Sequence, residues 1–272
     1  MPTGTSSALL LQHSSKQDIA KQRDQFYTRL EIAARLYGVL QLYINPNLYL
    51  MVEPCVGTGS FFRLLPSGSL GCDIDPKFPG TFRANFLTVE ISSRKPIVVI
   101  GNPPFGKNGS LAVRFFNRAA RQAKYIAMIV PRSFRKTSMQ NRLDGNFHLI
   151  HDEDVEDFAF MFRGQSYNVR TAFQIWERRK VRRRKAQLRT THPDFEFVTR
   201  DFADFAVQRV GANAGRLHFN FDLSPKSHYF IQGNVEEEMR SIEDRFRIAA
   251  GDVVNVPSLS KEEIIDIYSQ SF

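Results

Sequence analysis

Two cysteines, Cys55 and Cys72, occur in the 272 residues. They are too few for a disulfide framework or, alone, for a four-ligand zinc site, so a reducing, intracellular setting is expected, cytoplasmic or, in a eukaryote, nuclear. Long apolar runs are also missing. The longest near the start is Ala8 to Leu11, far short of a signal-peptide core or of the roughly 18 to 20 residues of a membrane span. The six histidines, His13, His148, His151, His192, His218 and His228, show no metal-ligand spacing. His148-x-x-His151-Asp152 comes nearest and reads as a loop, so no metal is expected. A third absence is local: from Ile91 to Leu143 there are eleven Lys or Arg and no Asp or Glu.

What is present is an apolar fraction of 42%, enough for one large domain or for a core with a small appendage, and a formal charge of +9. That charge favours polyanionic partners without naming one. It is unevenly spread. An acidic stretch, Asp144 to Asp157, precedes a basic run from Arg178 to Arg189, and from Thr190 to Phe272 eight basic residues face fourteen acidic ones. The basic run reads equally as a helix face or a linker.

Residues 1–15, rich in Ser and Thr, read as a flexible arm, with structure beginning near Lys16. Leu30, Ala33, Ala34, Tyr37 and Leu40 have helical spacing. Short apolar runs at Asn47–Glu53, Gly71–Asp75, Pro96–Gly101 and Tyr125–Val130 read as buried parallel strands, with a helix over Leu111–Lys124 between the last two. This alternation predicts an α/β sheet. Phe158–Phe162 and Val169–Trp176 are expected to form a closing hairpin around Gly164 at the sheet's edge. Beyond Lys185 the pattern turns to short aromatic pieces and an acidic helix from Val235. The expected division is an arm at 1–15, a core at 16–180, and a basic linker with a small C-terminal recognition or interaction region at 181–272.

Three motifs carry chemistry. Glu53-Pro54-Cys55-Val56-Gly57-Thr58-Gly59-Ser60-Phe61 follows a strand and is expected to open a helix. Its glycines permit positive φ and close approach to a ligand, while Glu53 at the strand end can hold a ligand's amine. No Gly-Lys-Ser/Thr follows, so it is not a Walker loop. Twenty residues on, Asp73 ends the next strand, where an acid can accept from ribose hydroxyls or can cap a turn. Third comes Gly101-Asn102-Pro103-Pro104-Phe105-Gly106. Two prolines stiffen that turn, and the Asn102 side chain with the Pro103 carbonyl offers two acceptors at fixed spacing, suited to an exocyclic amine.

With these residues in order, the segment Asp24–Arg178 resembles the N6-adenine methyltransferases that use S-adenosylmethionine, within the Asn/Asp-Pro-Pro-aromatic amino methyltransferases. The motif order is similar to that of restriction-modification enzymes with a C-terminal recognition domain. The resemblance implies a Rossmann-like class I methyltransferase fold: a mostly parallel seven-stranded sheet, helices on both faces, and a small C-terminal appendage. Asp24-Gln25-Phe26-Tyr27-Thr28 resembles the N-terminal cofactor motif. On this likeness Tyr27, Thr28, Glu53, Gly57, Gly59, Asp73, Ile74, Asn85, Phe86 and Asn102 would bind the cofactor. Many relatives carry Asp at the position of Asn85. The implied catalytic turn is Asn102, Pro103, Pro104 and Phe105. Phe105 would stack on the target base, with Phe162 or Tyr167, equally readable as hairpin core. Lys107, Arg132, Arg135 and Lys136 would meet nucleic-acid backbone.

The implied reaction is in-line methyl transfer to adenine N6 in DNA, the base unpaired or flipped out. Cys55 would be packing rather than a nucleophile, and no dedicated general base is needed. RNA is the alternative, because Asn-Pro-Pro-Phe-Gly-Lys-Asn also resembles ribosomal-RNA adenine methyltransferases. Less favoured are protein glutamine methylation and a nucleic-acid-binding subunit with partner-dependent activity. No membrane partner is expected, and a partner subunit or a homodimer stays open. The C-terminal region, at most about 85 residues and net acidic, is too small and too negative for a long sequence-reading domain.

Overall fold

The structure is a computed structural model that describes residues 26–162, 164–253 and 256–272. The expected arm, Lys16 and the Asp24-Gln25 pair lie outside the described residues. Two compact units divide the chain: residues up to Val130 with Asn141–Arg184, and Pro131–Gln140 with Lys185–Phe272. The second unit thus joins ten residues from the middle of the chain to the stretch from Lys185 onward.

In the first unit the elements are β1 (Tyr27–Thr28), α1 (Leu30–Gln41), β2 (Leu50–Glu53), β3 (Leu70–Asp73), β4 (Phe82–Arg83), β5 (Ile97–Gly101), α2 (Ser110–Ala119), β6 (Ala123–Pro131), β7 (Phe147–Asp154), β8 (Phe160–Phe162), β9 (Gln165–Tyr167) and β10 (Thr171–Arg178). Seven strands form one sheet in the order β4-β3-β2-β5-β6-β10-β7. Parallel pairing runs from β4 to β6, while β10 and β7 pair antiparallel. This is a Rossmann-like, mostly parallel sheet. All five residues of β5 are buried, as expected of a strand covered on both faces. α1 buries Ala33, Leu36, Tyr37 and Leu40, and α2 buries Val113, Phe115, Phe116 and Ala119. Strand order reverses between β2 and β5, and the crevice outside their carboxyl ends is where such sheets bind ligands.

Three expectations are corrected. Phe158–Phe162 and Val169–Trp176 do not form one edge hairpin. Instead β8 and β9 turn around Gly164 and join β1 in a separate three-stranded sheet, whereas β10 lies inside the main sheet beside β7. Thr171 and Gln174 are fully buried in β10. Gln174 is satisfied by donating to Asp152 and accepting from the Trp176 indole, so two polar letters hid a strand buried on both faces. The glycine loop opens no α-helix, only a 3-10 turn over Phe62–Leu64, because Pro66 restricts Leu65 before a second turn can form. His148 and His151 lie on β7, not in a loop.

The second unit has its own antiparallel sheet, β11 (Glu196–Val198), β14 (His228–Gln232), β12 (Phe205–Gln208) and β13 (Leu217–His218), in that spatial order. Its helices are α3 (Thr137–Gln140), α4 (Glu236–Ser241), α5 (Glu243–Ala250) and α6 (Lys261–Ser269). Phe205, Ile231, Met239, Phe246, Ile264 and Ile265 belong to one core. Among the described residues no helix is long and apolar enough to cross a membrane, and no group of three or more His, Cys, Asp or Glu could hold a metal ion.

Candidate active site

The carboxyl ends of β2, β3 and β5 open into a cleft of about 820 Å³ that includes its open mouth. Tyr27, Thr28, Glu53, Gly57, Asp73, Ile74, Asn85, Phe86, Asn102 and Pro104 line it. The fold therefore brings together residues drawn from five separate segments of the chain.

Gly57 and Gly59 take φ of 52° and 82°. A Cβ on Gly57 would lie 2.9 Å from the Tyr27 ring, and one on Gly59 would lie 2.3 Å from Phe78. Gly59 thus acts by letting the loop fold onto Phe78, and it does not itself line the cleft. Asp73 clamps the same loop: its two carboxylate oxygens accept from the backbone N–H of Gly57 and of Asp75, each at 2.8 Å. It is at once the turn-capping residue and a wall of the cleft. Asn85 uses its side-chain oxygen to accept from Leu87 N–H, which fixes the amide beside buried Phe86, itself stacked on Phe115 at 5.7 Å. Ile74, 55% exposed, presents an apolar face on the rim.

Glu53 is only 2% exposed, and its Oε2 has no hydrogen-bond partner. Burial, with Asp73 nearby, pushes its pKa well above the usual carboxylate range. Burial likewise pushes up the Cys55 thiol, and that of Cys72 to about 11. Neither sulfur is an activated nucleophile.

Asn102 sits where β5 ends. Its amide nitrogen donates to the Phe26 carbonyl at 3.0 Å and to Thr28 Oγ1 at 3.2 Å. Its Oδ1 is buried without a partner. Two acceptors on the nitrogen settle which way the amide faces, and the oxygen is left for a donor. Ser60 Oγ donates to the Thr28 carbonyl at 2.5 Å, tying β1 to the glycine loop.

No protein-family model and no curated protein matches the chain. Solved structures do. A Pyrococcus horikoshii protein assigned as an RNA methyltransferase aligns with 58% of this chain and 88% of its own, at 17% identity and a TM-score of 0.43. A Listeria monocytogenes protein assigned as a class I S-adenosylmethionine-dependent methyltransferase aligns over 59% and 64%, at 17% identity and 0.45. The 23S rRNA methyltransferase ErmE aligns over 59% and 72%, at 18% and 0.42. At these values the likeness is one of chain course, not of chemistry.

The remaining expected residues are placed differently. The Phe105 ring is 2% exposed and does not line the cleft; its carbonyl accepts from Leu111 and Ala112 N–H. Pro103 is buried. Phe162 and Tyr167 form an aromatic group with Phe26, whose ring stacks on Tyr167 at 4.9 Å and 12° and lies 5.5 Å from Phe162. Lys107 is exposed in the turn after Pro104. Arg132 and Lys136 belong to the second unit, where Lys136 pairs with Glu263 at 2.9 Å and Arg132 with Asp252 at 3.5 Å. Arg135 is exposed in that unit. Sequence reasoning gave no site role to Phe26, although it stood inside the Asp24–Thr28 motif. It also passed over Ser60, inside the glycine-loop motif, and Lys77 and Phe115, all three of which line the cleft.

Proposed function

We propose that the chain is an S-adenosylmethionine-dependent methyltransferase acting on the N6 amine of adenine in nucleic acid, with DNA the first substrate to test and RNA the alternative. One observation carries this reading: a buried amide oxygen, Asn102 Oδ1, with no partner, on a residue that lines the cleft with Gly57, its nitrogen already held by two acceptors.

The residues fit such a cofactor. The unpartnered Glu53 Oε2 is a buried acceptor for an ammonium group, Asp73 and Asn85 stand on the wall where ribose and adenine hydroxyl and amine donors would come, and exposed Ile74 offers an apolar face. A Cβ at Gly57 would crowd Tyr27 at the same wall. When bound, S-adenosylmethionine supplies an electrophilic methyl group on a sulfonium.

The chain's own residues supply positioning and electrostatics. Adenine N6 is a weak nucleophile because its lone pair is delocalised into the ring. Acceptance of its N–H by Asn102 Oδ1, with the Pro103 carbonyl as second acceptor, localises that pair and aims it. The Phe26 carbonyl and Thr28 Oγ1 keep the amide from flipping. Phe162 and Tyr167 supply aromatic surface for an unpaired base.

Incorporation of radiolabelled methyl into DNA and RNA, assayed separately, tests the reading. Label in adenine N6 that disappears with Asn102→Ala is expected. Cofactor binding without transfer to either nucleic acid would overturn it.

A further inference from the structure

The acid-free segment divides between two ends of the sheet. Lys107 follows Asn102 at the cleft end, but Arg94, Lys95, Arg121 and Lys124 stand where β5 and β6 begin. Several contacts gather this opposite end. Ile97 pairs with both Leu50 and Ala123. Arg178 Nε donates to the Ala123 carbonyl at 2.9 Å, and a second guanidinium nitrogen donates to the Ala120 carbonyl. The amides of Arg179 and Arg183 donate to the carbonyls of Asn146 and Gly145, each at 2.7 Å. The basic run from Arg178 to Arg184 is thereby folded back onto the start of β7, with guanidinium groups of Arg178 and Arg183 over the Phe147 and Trp176 rings.

The result is a basic pole. Arg94, Lys95, Arg121, Lys180, Arg182 and Arg184 are exposed, and none of the six pairs with an acid among the described residues. The acids nearby are already engaged: Glu90 by Arg118, Glu177 by Lys124 and Arg179, and Asp144 by the Asn146 amide. β5 alone, at about 3.3 Å per residue, sets roughly 15 Å between this pole and the cleft. A patch so far away cannot touch the reacting base or the cofactor.

We propose that this pole is a second contact surface for the phosphodiester backbone of the nucleic acid whose base enters the cleft. The inference rests on the proposed function for the identity of its ligand. Arginine outnumbers lysine four to two among these six exposed residues, and its planar fork matches phosphate oxygens. The backbone beneath is held by stacked, internally bonded arginines, so the charges are presented by a fixed surface rather than by a loose tail. Short substrates satisfy the cleft alone, and longer ones reach both surfaces.

The test compares fluorescence anisotropy of a labelled duplex of about 30 base pairs, long enough at about 3.4 Å per step to span both surfaces, with that of a single strand of about five nucleotides. The double variants are Arg94→Glu with Arg121→Glu and Arg182→Glu with Arg184→Glu, each repeated with Gln; exposed positions of this kind alter folding little. Duplex binding should weaken at least 10-fold in each Glu pair, and its salt slope should fall by about 0.9 per lost contact, while the short strand binds as before. Unchanged duplex affinity and slope in both pairs would overturn the proposal, as would an equal loss for the short strand. Equal competition by polyglutamate at matched charge would also overturn it and reassign the pole to acidic protein. Because binding is read without turnover, a reduced slope in a chain that methylates nothing keeps the pole and sinks the methylation reading, and the converse pattern sinks the pole alone.

Discussion

Asn102 and Phe26, far apart in the sequence, are joined by one hydrogen bond of 3.0 Å from the side-chain amide to the main-chain carbonyl. The bond makes the orientation of the amide a property of β1's entry strand as well as of the proline turn.

Removal of the second acceptor, Thr28 Oγ1, should therefore slow transfer without removing any group that meets the substrate. Thr28→Val is expected to lower kcat about 10-fold, the equivalent of one hydrogen bond of about 1.4 kcal/mol. Asn102→Ala should abolish turnover with cofactor affinity retained. Steady-state kinetics with isothermal titration of the cofactor separates the two, and an unchanged kcat in Thr28→Val would show that the amide needs no second tether.

Gly57→Ala places a methyl 2.9 Å from the Tyr27 ring at a φ of 52°. Cofactor affinity should drop at least 10-fold, because the strained loop costs about 1 to 2 kcal/mol and the Asp73 clamp shifts with it. A dissociation constant within twofold of wild type would contradict the cradle.

Glu53 gives a pH signature. Its folded pKa is raised above the usual carboxylate value, first by burial and then by Asp73. The folded state then binds more protons than the unfolded state, so ligand-free stability falls as pH rises from about 4.5 toward the raised value. Glu53→Gln should flatten that fall and raise Tm at neutral pH while eliminating cofactor binding. A parallel pH dependence of Tm in the two proteins would remove Glu53 as its source.

Lys136 and Glu263 are each under a fifth exposed and 2.9 Å apart, next to the capping box that starts α6. Lys136→Met leaves the half-buried Glu263 carboxylate without its cation, though still held by Ser260, and should destabilise the second unit by about 1 kcal/mol, read in urea titration. The salt slope of nucleic-acid binding should stay the same; a lower slope would return Lys136 to the phosphate-contact role its sequence position suggests.

Strands β2, β5 and β6 were readable because each carries an apolar run closed by a turn signal, and the cleft residues of β2, β3 and β5 sit at the strand ends. What escaped had non-local causes. β10 carries Thr171 and Gln174, polar in sequence; Gln174 is satisfied by Asp152 on the neighbouring strand and by the Trp176 indole, and Thr171 by the Val169 carbonyl. The helix expected after Gly59 was stopped by a proline seven residues on. Arg132 and Lys136 looked like free positive charge because Asp252 and Glu263, more than a hundred residues away, cannot be paired with them by inspection of the chain. Phe105 reads as an offered ring next to two prolines, yet the backbone that follows folds over it as α2 begins.

Tyr167 stacks on Phe26, whose carbonyl holds the Asn102 amide, so under the proposed function this stack would link the reach of a target base to the aim of the amide. An incoming purine that wedges between those rings would tug the very carbonyl that holds Asn102 in place, so the strand would register occupancy before chemistry starts. Seated against the outer face instead, the same purine would leave the tether slack and the oxygen already aimed. Substrates that favour the outer seat would react fast, and those forced into the gap would be held but turned over slowly.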